Sequence, residues 1–168
     1  MPAQRSGCLS FIFGRSRKEE KLAPLPYKAK AYLLSRQEQA FYHNLRKAAG
    51  GRAAICPKVR LADIFSVKIK NRSEWQSHFN RIQNKHIDFL LCDPRSMTPL
   101  LAIELDDKTH DREDRQKRDV FVNQVFEAGG LPIIHINSTN IPSTEQLAAM
   151  LTEYLPQPEQ FSGAAATT

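Results

Sequence analysis

The chain predicts an α/β domain, and three observations carry that. Four short runs rich in strand formers recur along it: AAICPKVRLADIF, KHIDFLLCD, PLLAIELDD and LPIIHIN. Apolar residues at helical spacing precede the first run, separate the third from the fourth and follow the fourth. A length of 168 residues with 41% hydrophobic content suits one domain of ordinary size with its own core. The expected order is helix, three strands, helix, strand, helix.

The first helix is read in SRQEQAFYHNLRKAA. Ser35 followed by Glu38 is a capping-box pattern. Ala40, Phe41, Leu45 and Ala48 form its apolar stripe, and Gly50 and Gly51 stop it. Strand one is expected over AAICPKVRLADIF. Residues 66–84 are polar and carry Trp75, Phe79 and Ile82 at i, i+4 and i+7, which reads as a short insertion helix or ordered loop. Aromatics among bases there can stack on nucleobases, but such a stripe more often packs. KHIDFLLCD is strand two, turned by Asp93-Pro94. PLLAIELDD is strand three, and its near-continuous apolar run suggests burial on both faces. Residues 111–128 form a helix ended by Gly129-Gly130, LPIIHIN is strand four, and STEQLAAMLTEYL is a final helix capped by Ser143. Residues 1–26, basic and carrying Pro24 and Pro26, read as a flexible leader; 27–155 as the α/β domain; 156–168 as a disordered tail.

The net charge of +6 is unevenly placed. Residues 1–30 hold seven Lys/Arg against two acids, and 46–95 hold eleven against four. Residues 96–127 hold five against eight. An acidic centre therefore lies between basic flanks, which suit a nucleic acid because cations displace counterions from phosphate. A solvated basic surface accounts for the same numbers, and the leader can equally serve a protein partner. No apolar run is long enough to span a bilayer, and the three cysteines lack C-x-x-C spacing. Reduced thiols in a cytoplasmic protein are expected; the oligomeric state is not readable.

The acidic centre is IELDDKTH. Alternation along strand three puts Glu104 and Asp106 on one face, roughly 6–7 Å apart. Asp88 lies inside apolar strand two, where His86, Asp88, Leu90 and Cys92 share a face, and it reaches Glu104 if the strands pair. Two carboxylates converging at a strand end can hold Mg²⁺ or Mn²⁺, which take oxygen ligands and keep waters for a phosphate oxygen to replace. Buried acids paired with Lys or Arg are the bland alternative. Lys58 and Arg60, two apart on strand one, are expected on one face, gripping a phosphate or neutralising the acids. Glu38 is explained by its cap and stays an accessory candidate. Arg115 and Arg118 lie on the helical stripe of Val122, which directs them toward the end of the sheet, to a phosphate or to Asp106.

Order and acids together resemble the PD-(D/E)XK nuclease superfamily. The resemblance implies a restriction-endonuclease-like αβββαβ core, a central mixed four-stranded sheet flanked by helices, with Asp88 and Glu104 as the motif acids and metal ligands. IELDDKTH followed by a charged helix is nearest the branch like very-short-patch-repair endonucleases. More narrowly, PKVRLAD, KHIDFLLCD and IELDDKTH resemble a bacterial domain family of unknown function, over about residues 30–155. The implied activity is metal-dependent hydrolysis of DNA phosphodiester bonds; the alternative is a nuclease fold that binds nucleic acid or a protein partner without cutting. One position departs. The superfamily's lysine, two residues after the second acid, is here Asp106, which can be a third ligand or an anchor for a histidine or arginine. The resemblance then directs the missing role to Lys58, Lys85 or Lys108, or to His110 as general acid or base. Nucleic acid would be held by Arg60, Lys85, Lys108, Arg115 and Arg118.

Overall fold

The computed structural model describes residues 25–106 and 113–157, with side chains in the fourth helix described from Asp119 onward. The chain divides into two units, Met1–Ala31 and Tyr32–Thr168. Of the first, residues 25–31 carry neither helix nor strand. No helix among the described residues is long and apolar enough to cross a membrane.

The second unit begins with α1 (Arg36–Ala49), and the capping box is formed: Ser35 Oγ accepts the Glu38 N–H while Glu38 Oε2 accepts the Ser35 N–H at 2.8 Å. Gly50 closes the helix in the left-handed region, φ 56°, where a side chain would be strained. Strand β1 (Ala54–Arg60) is shorter than its apolar run suggests, because LADI turns into the one-turn helix α2 (Leu61–Ile64). Leu61 is buried completely there. Helix α3 (Arg72–Ile82) is capped by Asn71. Strands β2 (His86–Cys92) and β3 (Pro99–Asp106) follow, then α4 (Glu113–Gly129), β4 (Ile133–Asn137) and α5 (Thr144–Leu151), the last with a second capping box from Ser143 and Gln146.

The strands form one mixed sheet in the order β1-β2-β3-β4. β1 and β2 are antiparallel, as are β2 and β3; β4 runs parallel to β3 after the α4 crossover. The fold class is α/β, an open mixed four-stranded sheet flanked by helices. One face packs on α1 and α5 through Phe41, Leu45, Phe89, Leu101, Ile103 and Leu147. The other packs on α4 through Leu90, Ala102, Val122 and Phe126, with Leu61 and Ile82 from α2 and α3. Fully burying each large side chain contributes about 1.5–3 kcal/mol. Phe41 and Phe89 meet at a tilt, centroids 5.3 Å apart. Gly129 allows Phe65 to lie on α4: a Cβ there would meet the ring at 2.3 Å.

Cys92 is buried, and burial together with neighbouring Cys56 pushes its thiol up to about 11; both cysteines are free, and Cys8 lies outside the described residues.

Strict alternation fails at the bulge beside Leu91 and Cys92, and again on β1 and β2 near Lys58. Period two would put Val59 with Ile55 and Ile87 with Phe89, yet Val59 and Ile87 pack on the α4 side. The switch falls where Lys58 adopts φ 56°, between the ladder pairs Pro57↔Phe89 and Val59↔Ile87. Left-handed backbone at a non-glycine costs about 1–2 kcal/mol. The expectation that Asp88 shares a face with Leu90 and Cys92 is corrected at this kink: those two pack on the α4 side, whereas Asp88 meets Lys58 and, through it, Glu38 of α1.

Candidate functional site

The kink delivers Lys58 to two carboxylates. Its ammonium bridges Glu38 Oε1 on α1 and Asp88 Oδ1 on β2, the latter at 2.6 Å. The Glu38 and Asp88 side chains are each 17% exposed and Lys58 is 34% exposed, so the triad is screened by water only in part. Glu38 thus does two things: it closes the α1 cap and it holds Lys58.

The second oxygen of Asp88 has its own task. The β2–β3 ladder runs to Phe89↔Ile103, and continuing it would place Asp88 opposite Glu104. Asp88 Oδ2 instead accepts the Leu105 N–H at 2.9 Å, so a side chain satisfies the backbone donor where the ladder stops. Glu104 is half-buried, with Oε2 shut off from solvent. Lys58, Asn84, Lys85, His86, Asp88 and Glu104 line a cavity of about 280 Å³. The register sets Asp88 and Glu104 at one end of the sheet, and the left-handed residue brings a cation to them.

The electrostatics follow from competition. Burial acts to raise the Glu38 carboxyl, but the Lys58 and Ser35 hydrogen bonds outweigh it and hold the group below its ordinary value. Burial acts to lower Lys58, and its hydrogen bonds to Asp88 and Glu38 overcome that and raise it. Lys58 is therefore an ammonium at neutral pH. It can donate hydrogen bonds and offset negative charge, but it has no lone pair with which to take a proton.

Asp106 anchors a histidine, one of the roles weighed for it. Its Oδ2 lies 2.9 Å from His135 Nδ1, and His135 Nε2 lies 2.8 Å from Asn123 Oδ1 on α4. His135 is also the ladder partner of Glu104 in the parallel β3–β4 pair. A second polar cluster thus adjoins the first across Glu104. Sequence reasoning assigned no role to His135: IIHIN reads as an apolar strand. The available signal was the parallel pairing implied by the α4 crossover, which sets β4 beside the acidic end of β3.

The other candidates divide. Lys85 lines the cavity and its ammonium sits 5.7 Å over the Phe121 ring. Arg60 is not brought there; it pairs with Asp63 at 2.7 Å on the exposed surface. Lys108 and His110 lie outside the described residues, as do the side chains of Arg115 and Arg118 on α4. His86 and Asn84 line the cavity and were given no role. Among the described residues, no group of three or more His, Cys, Asp or Glu is placed to hold a metal ion. The charged hard-oxygen donors among the cavity's lining residues are the carboxylates of Asp88 and Glu104, with the Asn84 amide as a neutral one. That set fits Mg²⁺ or Mn²⁺, which binds through one or two carboxylates and keeps its remaining positions for water and phosphate.

No curated protein and no solved structure matches the chain. Residues 30–155 match the family model described as "Protein of unknown function (DUF2726)", and the chain belongs to that family.

Proposed function

We propose that this domain is a divalent-metal-dependent nuclease of the PD-(D/E)XK kind that hydrolyses DNA phosphodiester bonds. The observation that supports it best is Lys58, brought from β1 between Glu38 and Asp88 in the cavity that Glu104 also lines. The motif sets a lysine beside its two acids; Lys58 touches one of them, Asp88, and would take that part from another strand, since Asp106 occupies the usual position.

Asp88 and Glu104 would hold the ion. When bound, Mg²⁺ or Mn²⁺ supplies polarisation of a phosphate oxygen and a lowered pKa for a bound water. Lys58, kept protonated by its two acids, would have one N–H left to orient the attacking water, and its charge would offset that developing on phosphate. Glu38 is a positioning residue that fixes the lysine. Lys85 at the cavity wall attracts the phosphate backbone.

The test is cleavage of plasmid and single-stranded DNA with Mg²⁺ or Mn²⁺, by the wild type, Asp88→Ala and Glu104→Ala. Cleavage by the wild type and its loss in both variants is expected. Undiminished cleavage by Glu104→Ala overturns the proposal.

One observation favours a second reading, a non-cutting module that binds nucleic acid or a protein partner. Asp106 stands where the motif has its lysine and gives its carboxylate to His135, while Lys58 acts as a built-in counterion for Glu38 and Asp88. That reading expects salt-sensitive binding and no cleavage with either metal.

A further inference from the structure

Helix α3 is attached to the domain by little of its surface. Of its aromatic and aliphatic stripe, only Ile82 is buried and joins a core cluster. Trp75 and Phe79 are packed against neither cluster. They stack on each other instead, centroids 4.9 Å apart and planes within 10° of parallel, and both stay partly exposed. The expectation that all three side chains pack is corrected: two form a flat aromatic step outside the core.

The segment that carries that step is cationic in sequence. Between residues 66 and 86 stand Lys68, Lys70, Arg72, Arg81 and Lys85, and the only acid is Glu74. Arg72 occupies the first turn of the helix, where the macrodipole disfavours a cation, so helix stability does not account for it. Arg72, Ser73, Gln76, Ser77 and Asn80 line an open groove along α3 with no carboxylate in it. The helix leads into the acidic cavity, since Asn84 and Lys85 just beyond it are cavity walls. Arg81 lies 4.0 Å over the Phe121 ring, which ties that end of α3 to α4.

We infer that α3 is a binding surface for single-stranded nucleic acid, with bases stacking on the Trp75–Phe79 step and phosphates following the cations toward the Glu104 cavity. The charge selects a polyanion. The aromatic step selects unpaired bases, whose faces are closed to a side chain in a duplex. This names the substrate class for the nuclease proposed above and rests on that reading only for the link to cleavage.

The chain has one tryptophan, Trp75, so fluorescence excited beyond the tyrosine absorption band reports this site alone. The full-length protein is titrated in a metal chelator with oligothymidylate, with a blunt hairpin duplex and with heparin, a polyanion without bases. Cleavage plays no part under chelator, so failure of the nuclease reading leaves this result intact. Quenching by oligothymidylate alone is expected. Phe79→Ala should weaken that binding about tenfold, the scale of one lost base stack, and Phe79→Tyr should restore it. Because Phe79 lies outside both core clusters, Phe79→Ala should keep the wild-type circular dichroism and still melt cooperatively, with melting lowered only by the lost stack on Trp75. Absence of quenching, equal quenching by duplex or heparin, or unchanged affinity in Phe79→Ala overturns the inference.

Discussion

Two polar clusters flank Glu104, and they are built differently. On the β1–β2 side, Glu38 and Asp88 share one lysine. On the β4 side, Asp106 meets His135, which is charged only when protonated. The first joins more deeply buried acids to a permanent cation held in costly left-handed backbone. The second has side chains 35% and 31% exposed and no such backbone. With Glu104 counted, the first holds three carboxylates against Lys58 and the nearby Lys85. The cavity itself is lined by two of these acids, Asp88 and Glu104, together with both lysines, so its formal charges balance. The second cluster has one acid and a partner that can match it. What distinguishes the two is the fixed cation: Lys58 stands between its acids in the first, and the second has a histidine in that place.

The largest expected stability effect tests that contrast directly. Lys58→Met leaves two half-buried carboxylates without their cation. A fully buried pair broken this way costs about 3–5 kcal/mol. Partial exposure screens this one, and relief of no backbone strain is gained, so about 1–3 kcal/mol is expected in urea unfolding at neutral pH. Asp106→Asn keeps a hydrogen-bonding oxygen toward His135 and should cost under about 1 kcal/mol. Equal losses in the two variants would break the comparison.

The pH dependence sharpens it. Glu38 titrates below its ordinary value of 4.5 in the folded protein, so its contribution is present above that pH and is lost as pH falls toward the lowered value. Lys58 titrates above 10.5, so its contribution is present below that pH and is lost as pH rises through the raised value. The triad is thus intact between those limits. Stability curves of the wild type and Glu38→Gln should run apart at neutral pH and converge in acid; a constant gap down through the acid limb would contradict this account. The smallest effect is expected at Arg60→Ala. Its pair with Asp63 is about half exposed at both ends, and melting should not change measurably.

Much of the frame was legible because local rules and the final fold agree. Ser35 and Glu38, and Ser143 at the last helix, signal caps that form. Apolar runs located all four strands, and the antiparallel register brings Asp88 and Glu104 to one cavity. The kink was not legible. Left-handed backbone is usually announced by glycine or asparagine, and Lys58 carries no such mark. Lys58 reaches the acids as expected, but through a reversal of alternation between Ile55 and Val59 that nothing in the sequence announces. Helix α2 was hidden because four residues are too few to show a helical period. His135 was hidden because its partners, Asp106 and Asn123, come from two other elements and meet only in three dimensions.

The central claim is that Lys58 supplies the ammonium that the motif position lacks. Its most direct test is Mn²⁺-dependent DNA cleavage by Lys58→Met and Lys58→Arg beside the wild type, with folding checked by circular dichroism and DNA binding measured under chelator. The account predicts that Lys58→Met folds and binds but loses cleavage by at least about a hundredfold, the scale of one removed charge-stabilising donor, with partial recovery in Lys58→Arg. Cleavage by Lys58→Met at the wild-type rate would contradict it.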